Sequence, residues 1–168
     1  VMIGKGGNDV ISGGSGADVI FGDDGDDRLF GEAGNDMIEG GAGDDRIFGG
    51  DGDDTFLATK NDGDDFYFGD AGIDTLDMRT ITADVFADLS QGTVNSAQTG
   101  NDSLWDVENI KTGIGNDVIV ANSAVNVIDG GAGEDTFIFL SSADADGDTL
   151  LSFQPGDKID LSGIDANL

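Results

Sequence analysis

The sequence predicts an all-β protein, a right-handed parallel β-roll: a two-sheet solenoid with 18 residues per coil. Three observations predict it. A nine-residue unit repeats without a break from Gly4 to Leu57. Each copy carries glycine at its first and fourth positions, Asp at its sixth and one bulky apolar residue at its eighth. Nowhere in this stretch do apolar residues recur at the 3.6-residue spacing by which a helix buries one face.

The units run GKGGNDVIS, GGSGADVIF, GDDGDDRLF, GEAGNDMIE, GGAGDDRIF and GGDGDDTFL. Their sixth positions are Asp9, Asp18, Asp27, Asp36, Asp45 and Asp54; their eighth are Ile11, Ile20, Leu29, Ile38, Ile47 and Phe56. After a two-residue insertion the pattern resumes as KNDGDDFYF and GDAGIDTLD, adding Asp65 and Asp74 with Tyr67 and Leu76 in the apolar slot. It returns as TGIGNDVIV, ANSAVNVID and GGAGEDTFI, where Asp117 and Asp135 keep the sixth position and Asn126 has lost the charge.

The physics of the unit follows from its two halves. Six glycine-rich residues suit a tight turn, because glycine accepts positive φ. The remaining three read x-apolar-x, a minimal strand with one side chain pointing inward. A single unit cannot bury that side chain, but two units make a coil, and stacked coils enclose two ladders of Ile and Leu. Phe30 and Phe48, with Phe21 and Leu57 on the other sheet, occupy ninth positions and are expected to point outward.

Acidic residues outnumber basic ones 35 to 7, a net charge of −28, with 29 Gly and neither Cys nor His. So charged a fold repels itself unless a cation neutralises it. The charge also excludes nucleic acid as a partner, since seven scattered cations make no basic patch. No apolar run is long enough to span a bilayer, so membrane insertion is not expected. Without His, neither a Ser-His-Asp triad nor an HExxH zinc site can form, and no catalytic residue is assigned. Acids 18 residues apart lie one strand spacing, about 4.8 Å, from each other. Carboxylates at that distance can share an ion, and calcium, with its six to eight oxygen ligands, suits them better than octahedral magnesium. Ca²⁺ is the one cofactor expected, in several copies.

The unit resembles the G-G-x-G-x-D-x-U-x nonapeptide of the RTX, or hemolysin-type, calcium-binding family. The resemblance covers residues 4–77 and 112–138. It implies ions held between stacked turns by Asp9, Asp18, Asp27, Asp36, Asp45, Asp54, Asp65, Asp74, Asp117 and Asp135. It also implies turn carbonyls around Gly13, Gly14, Gly16, Gly22, Gly25, Gly31, Gly34, Gly40, Gly41, Gly43, Gly49, Gly50 and Gly52. Asp27 would then serve both Asp9 and Asp45, and Asp36 both Asp18 and Asp54. Glu108 paired with Asn126 is expected to give a weak or empty site. Acids at second, third and fifth positions (Asp23, Asp24, Asp26, Asp44, Asp51, Asp53) read as a solvated rim that concentrates calcium.

Four segments are expected: an N-terminal array over 1–77, an irregular connector over 78–111, a second short array over 112–138 and a capping segment over 139–168. In the connector, DVFADLS reads as strand, GTVNSAQTGND as loop, and Trp105 and Ile110 as residues sealing the roll. The closing GDKIDLSGID resembles the C-terminal domain of serralysin-type secreted proteases, here truncated. DADGDT at 144–149 is no EF-hand, since no Glu stands at loop position twelve. These resemblances imply a monomeric, non-enzymatic module of a secreted bacterial protein that folds on extracellular calcium, supports type I secretion and contacts other domains of its parent. The alternative is an adhesin or structural spacer at the cell surface. The opening at Val1 within a repeat reads as an excised fragment.

Overall fold

Each unit of the repeat contributes one strand, and successive strands fall alternately into two sheets. The computed structural model describes residues 1–165; the last three residues of the predicted capping segment lie outside the described residues. The chain forms a β-solenoid of about 9 turns at ~18 residues per coil. Numbered in chain order, one sheet holds β1 (Met2–Gly6), β3 (Val19–Asp24), β5 (Met37–Ala42), β7 (Thr55–Leu57), β9 (Thr75–Asp77), β13 (Asn109–Lys111), β15 (Val127–Asp129) and β17 (Thr149–Leu151). The other holds β2 (Val10–Ser15), β4 (Arg28–Ala33), β6 (Arg46–Asp51), β8 (Phe66–Ala71), β12 (Gly100–Trp105), β11 (Thr93–Ser96), β10 (Val85–Asp88), β14 (Val118–Val120), β16 (Thr136–Ile138) and β18 (Lys158–Asp160). A short helix, α1 (Ser162–Asp165), follows.

Parallel register puts eighth positions side by side: Ile20 beside Ile38, Leu29 beside Ile47, Ile38 beside Phe56. From Ile20 to Leu76 all seven of these side chains are fully buried. Each contributes about 1.5–3 kcal/mol by leaving water, so the ladders between the sheets are the core. The insertion does not shift this register: Ile47 lies beside Tyr67 and Phe56 beside Leu76. Its two extra residues are taken up in the turn before β8, where Asn61 adopts φ 63°. Fourth-position glycines carry the tight turns. Gly34, at φ 127°, leaves no room for a side chain, because a Cβ there would sit 2.5 Å from the Gly16 carbonyl oxygen one coil below.

The connector departs from expectation. GTVNSAQTGND is not loop: it supplies β11 and the start of β12, which run antiparallel to each other, and β11 also runs antiparallel to β10. Val94 in β11 is fully buried, which gives the strand its place in the sheet. β12 then lies parallel to β8, and β10 parallel to β14. The ten-stranded sheet therefore holds two strands, β10 and β11, for which the eight-stranded sheet has no counterpart.

The register also uncovers a repeat unit that its sequence disguises. Leu104 lies beside Tyr67 and Trp105 beside Phe68, which makes AQTGNDSLW, residues 97–105, a nonapeptide with Asp102 sixth and Trp105 ninth. Trp105 consequently does not seal the roll. Ninth positions face outward, and Trp105 is 45% exposed whereas Ile110 is fully buried as expected. Its ring ends an external stack, Phe30–Phe48–Phe68–Trp105, with centroids 4.9, 4.6 and 4.6 Å apart and planes within 9° of parallel.

Candidate calcium sites

Each sixth-position side chain enters the turn just before a strand, and the strand register hands it a partner one coil away. On the edge leading into the ten-stranded sheet, the Asp9 N–H donates to Asp27 Oδ1 at 2.7 Å, Asp27 to Asp45 at 2.8 Å, Asp45 to Asp65 at 2.9 Å and Asp65 to Asp102 at 3.1 Å. On the opposite edge Asp18 donates to Asp36 at 2.8 Å, Asp36 to Asp54 at 2.7 Å, Asp54 to Asp74 at 2.8 Å and Asp74 to Glu108 Oε2 at 2.9 Å. Farther along, Asp117 donates to Asp135 at 2.9 Å and Asp135 to Asp157 at 3.0 Å.

These bonds use only one carboxylate oxygen. The second is left buried without any hydrogen-bond partner at Asp9, Asp27, Asp36, Asp45, Asp54, Asp74, Asp102, Asp117, Asp135 and Asp148. A buried polar atom left unpaired costs about 1–3 kcal/mol, and more when it is charged. Ten along the ladders are far beyond what a fold tolerates by accident.

Burial pushes the Asp45 carboxyl up to about 7; the Asp27 N–H offsets part of this, and the Asp27 charge adds to it. Asp74 and Asp102 also rise to about 7, Asp54 and Asp135 to about 6, each mainly by burial. Asp27, Asp36, Asp117 and Asp148 shift upward for the same reason. Among the described residues the one ion pair is Arg79–Asp77, at 2.6 Å. The cations of this chain therefore do not serve the ladders.

Hard oxygen donors from the turns complete the arrangement. Beside Gly22, the unpaired Asp27 Oδ2 and the Gly40 carbonyl oxygen crowd the same small space, which a Cβ would fill. Gly31 has Asp36 Oδ2 and the Gly49 carbonyl in the same places. Carbonyls of Gly16, Gly25 and Gly34 point up the stack against Gly34, Gly43 and Gly52. Among the described residues no three His, Cys, Asp or Glu side chains gather as a metal-binding group, so carbonyls must supply much of any ion's shell. The donor set is all oxygen, part anionic and part carbonyl, which is what calcium takes.

Two predicted ligands differ from the rest. Asp65 Oδ2 accepts the Tyr67 hydroxyl at 3.0 Å, so the Asp65 carboxylate has protein partners on both sides. Asp18, half-buried, is not among the residues with an orphaned oxygen. At Asn126 the ladder is neutral: its amide donates to the Glu108 carbonyl at 2.7 Å. Asp102, Asp148 and Asp157 join the ladders although the nonapeptide pattern does not single them out. The signal available for them is an acid followed by x-apolar-x, in DSLW, DTLL and DKID. The rim acids are exposed as expected, but fifth positions do more than attract ions. Asp26 Oδ1 accepts the Asp44 N–H, Asn35 Oδ1 that of Asp53, and Asp53 Oδ1 that of Ile73. They staple each turn to the next coil, in the direction opposite to the sixth-position bonds.

A parallel solenoid with buried, unpaired carboxylates under glycine turns defines a class, the calcium-binding repeat proteins. Comparison with known families makes it specific: residues 3–38 and 30–58 match the RTX calcium-binding nonapeptide repeat. Residues 66–168, more than half of the chain, match the peptidase M10 serralysin C-terminal family, and the chain belongs to that family. The serralysin match reaches well beyond the closing segment that suggested it, taking in the connector and the second array. No catalytic domain accompanies these two matches, and no individual curated protein matches the chain.

Proposed function

We propose that the chain is the calcium-triggered folding module of a secreted protein. Its main support is the set of ten unpaired, buried Oδ2 atoms. Without a cation their mutual repulsion and desolvation oppose the folded state; with calcium they become ligands, and binding to the folded state alone stabilises it. Asp9, Asp27 and Asp45 hold ions along one edge, Asp36, Asp54 and Asp74 along the other, and Asp117 with Asp135 beyond the connector. The bound ion supplies positive charge and a demand for oxygen ligands. The chain supplies the pre-spaced carboxylates and the glycine carbonyls.

RTX repeats followed by a serralysin-type C-terminal domain support secretion of the parent, and type I export of the unfolded, calcium-free chain suits a fold that forms only outside the cell. In this reading the module is non-enzymatic and monomeric and contacts other domains of its parent. Its four segments act as a primary calcium array, a connector, a short second array and a cap. Far-UV circular dichroism of the whole chain tests the central claim. Coil in chelator and strand in millimolar calcium are expected; strand content indifferent to chelator would sink it.

A further inference from the structure

The turn before β8 carries an acid that the repeat does not explain. Asp62 is the third residue of its unit. Third positions elsewhere in the first array (Gly6, Ser15, Asp24, Ala33, Ala42, Asp51, Ala71) are exposed or half-buried, whereas Asp62 is 2% exposed. The two-residue insertion is what turns it inward. It brings the Thr59 N–H to Asp62 Oδ2 at 2.6 Å, fixing the carboxylate and leaving Oδ1 buried and unpaired.

The disguised unit stacks on this turn. The Asn61 N–H donates to the Gln98 carbonyl at 2.7 Å, and Gly100 lies over Gly63. Thr99 is therefore the third-position residue above Asp62. It is 1% exposed, and its hydroxyl lies against the Asp102 carboxylate, to which it can donate while its own lone pairs stay free. Asp102 Oδ2, like Asp62 Oδ1, is buried and unpaired. Two orphaned carboxylate oxygens and a buried hydroxyl thus occur at one level of the stack, the level at which Asp65 Oδ2 is taken by Tyr67. Two carboxylate oxygens without partners in a buried place need a cation or protons.

We propose that Asp62 Oδ1, Asp102 Oδ2 and the Thr99 hydroxyl form an additional calcium site, built from two third-position side chains and one sixth-position side chain where the Tyr67 hydroxyl occupies Asp65 Oδ2. This inference rests on the calcium reading of the ladders. Its ion is separate from theirs, because Asp62 belongs to no sixth-position pair. Asp62→Asn keeps the acceptor for the Thr59 N–H and puts an amide where the free oxygen was. Calcium per chain, measured by equilibrium dialysis on the whole chain in saturating calcium, is expected to fall by about one ion, with the circular dichroism spectrum unchanged. Thr99→Val, of nearly equal shape, is expected to keep that ion but bind it roughly tenfold more weakly. An unchanged ion count in Asp62→Asn overturns the proposal, since a protonated Asp62 would give that result. Failure of the ladder reading looks different: the unaltered chain would then take up no calcium.

Discussion

Replacing Asp45 with Asn is expected to change stability with opposite signs in the absence and presence of calcium. Asp45 is fully buried, its Oδ1 accepts the Asp27 N–H at 2.8 Å, and its Oδ2 has no partner. Asparagine keeps the first bond and removes the charge. The folded state holds the Asp45 carboxyl at about 7 against an ordinary 3.8, a difference of about 3 pH units, or about 4 kcal/mol at 1.36 kcal/mol per unit. Because the folded value is the higher one, the folded state binds more protons between those limits. Stability of the calcium-free roll therefore falls as pH rises from about 4 to about 7, and the full penalty is present above that. Without calcium at pH 8, Asp45→Asn should thus stabilise the roll by up to about 4 kcal/mol. In saturating calcium it should destabilise it, because a ligand is gone. Circular dichroism measures each of these differences: in chelator at pH 5 and pH 8 the calcium-free chain is folded by titrating in an excluded osmolyte, and in calcium at pH 8 it is unfolded by urea. A variant less stable than the parent in chelator at pH 8 would contradict the burial account of Asp45, and so would a parent whose chelator-state stability rises between pH 5 and pH 8.

Asp27→Ala should cost about two calcium ions per chain, because Asp27 lies between Asp9 and Asp45 in one ladder; loss of a single ion by calorimetry would reject sharing between coils. Ile38→Ala, in a fully buried slot beside Ile20 and Phe56, should cost about 2–5 kcal/mol in saturating calcium, read as a drop in thermal midpoint. Phe48→Ala removes the ring between Phe30 and Phe68, and two stacked contacts worth about 0.5–1.5 kcal/mol each set the expected loss. The ion count of that variant should not move.

The regular coils are legible because the spacing of nine decides both the turn and the inward side chain. From Gly4 to Leu57, knowing the unit is enough to pair Asp27 with Asp45 and Leu29 with Ile47. The fold hides where the same geometry is reached with other residues. AQTGNDSLW has Ala97 and Gln98 where glycines are usual, and β10 and β11 come before it in the chain although it stacks directly on β8. Its phase with the first array cannot be read along the sequence, so the pattern alone points Trp105 inward and passes over Asp102. Asp65 is a different case: its position follows the pattern, but its partner does not. The hydroxyl that occupies it comes from Tyr67, and in an apolar slot a Tyr looks like any other large side chain until its O–H direction is known.

The strands β10 and β11 bear on how much extra chain the roll can carry. Between neighbouring coils of the first array, sixth-position partners are 18 residues apart, as for Asp27 and Asp45. Across the inserted strands the separation from Asp65 to Asp102 is 37. The entropy of closing a loop grows only as (3/2)RT ln n, so doubling its length costs about 0.6 kcal/mol. That is less than the transfer of one buried Val or Leu side chain returns, and Val94 alone is fully buried within β11. The interval between one coil and the next is therefore a place where this architecture can lengthen its chain at little cost in loop closure, provided the added residues bury enough to offset their own ordering, as strands do. The ladder of acids continues across it from Asp65 to Asp102 as though the intervening residues were not there.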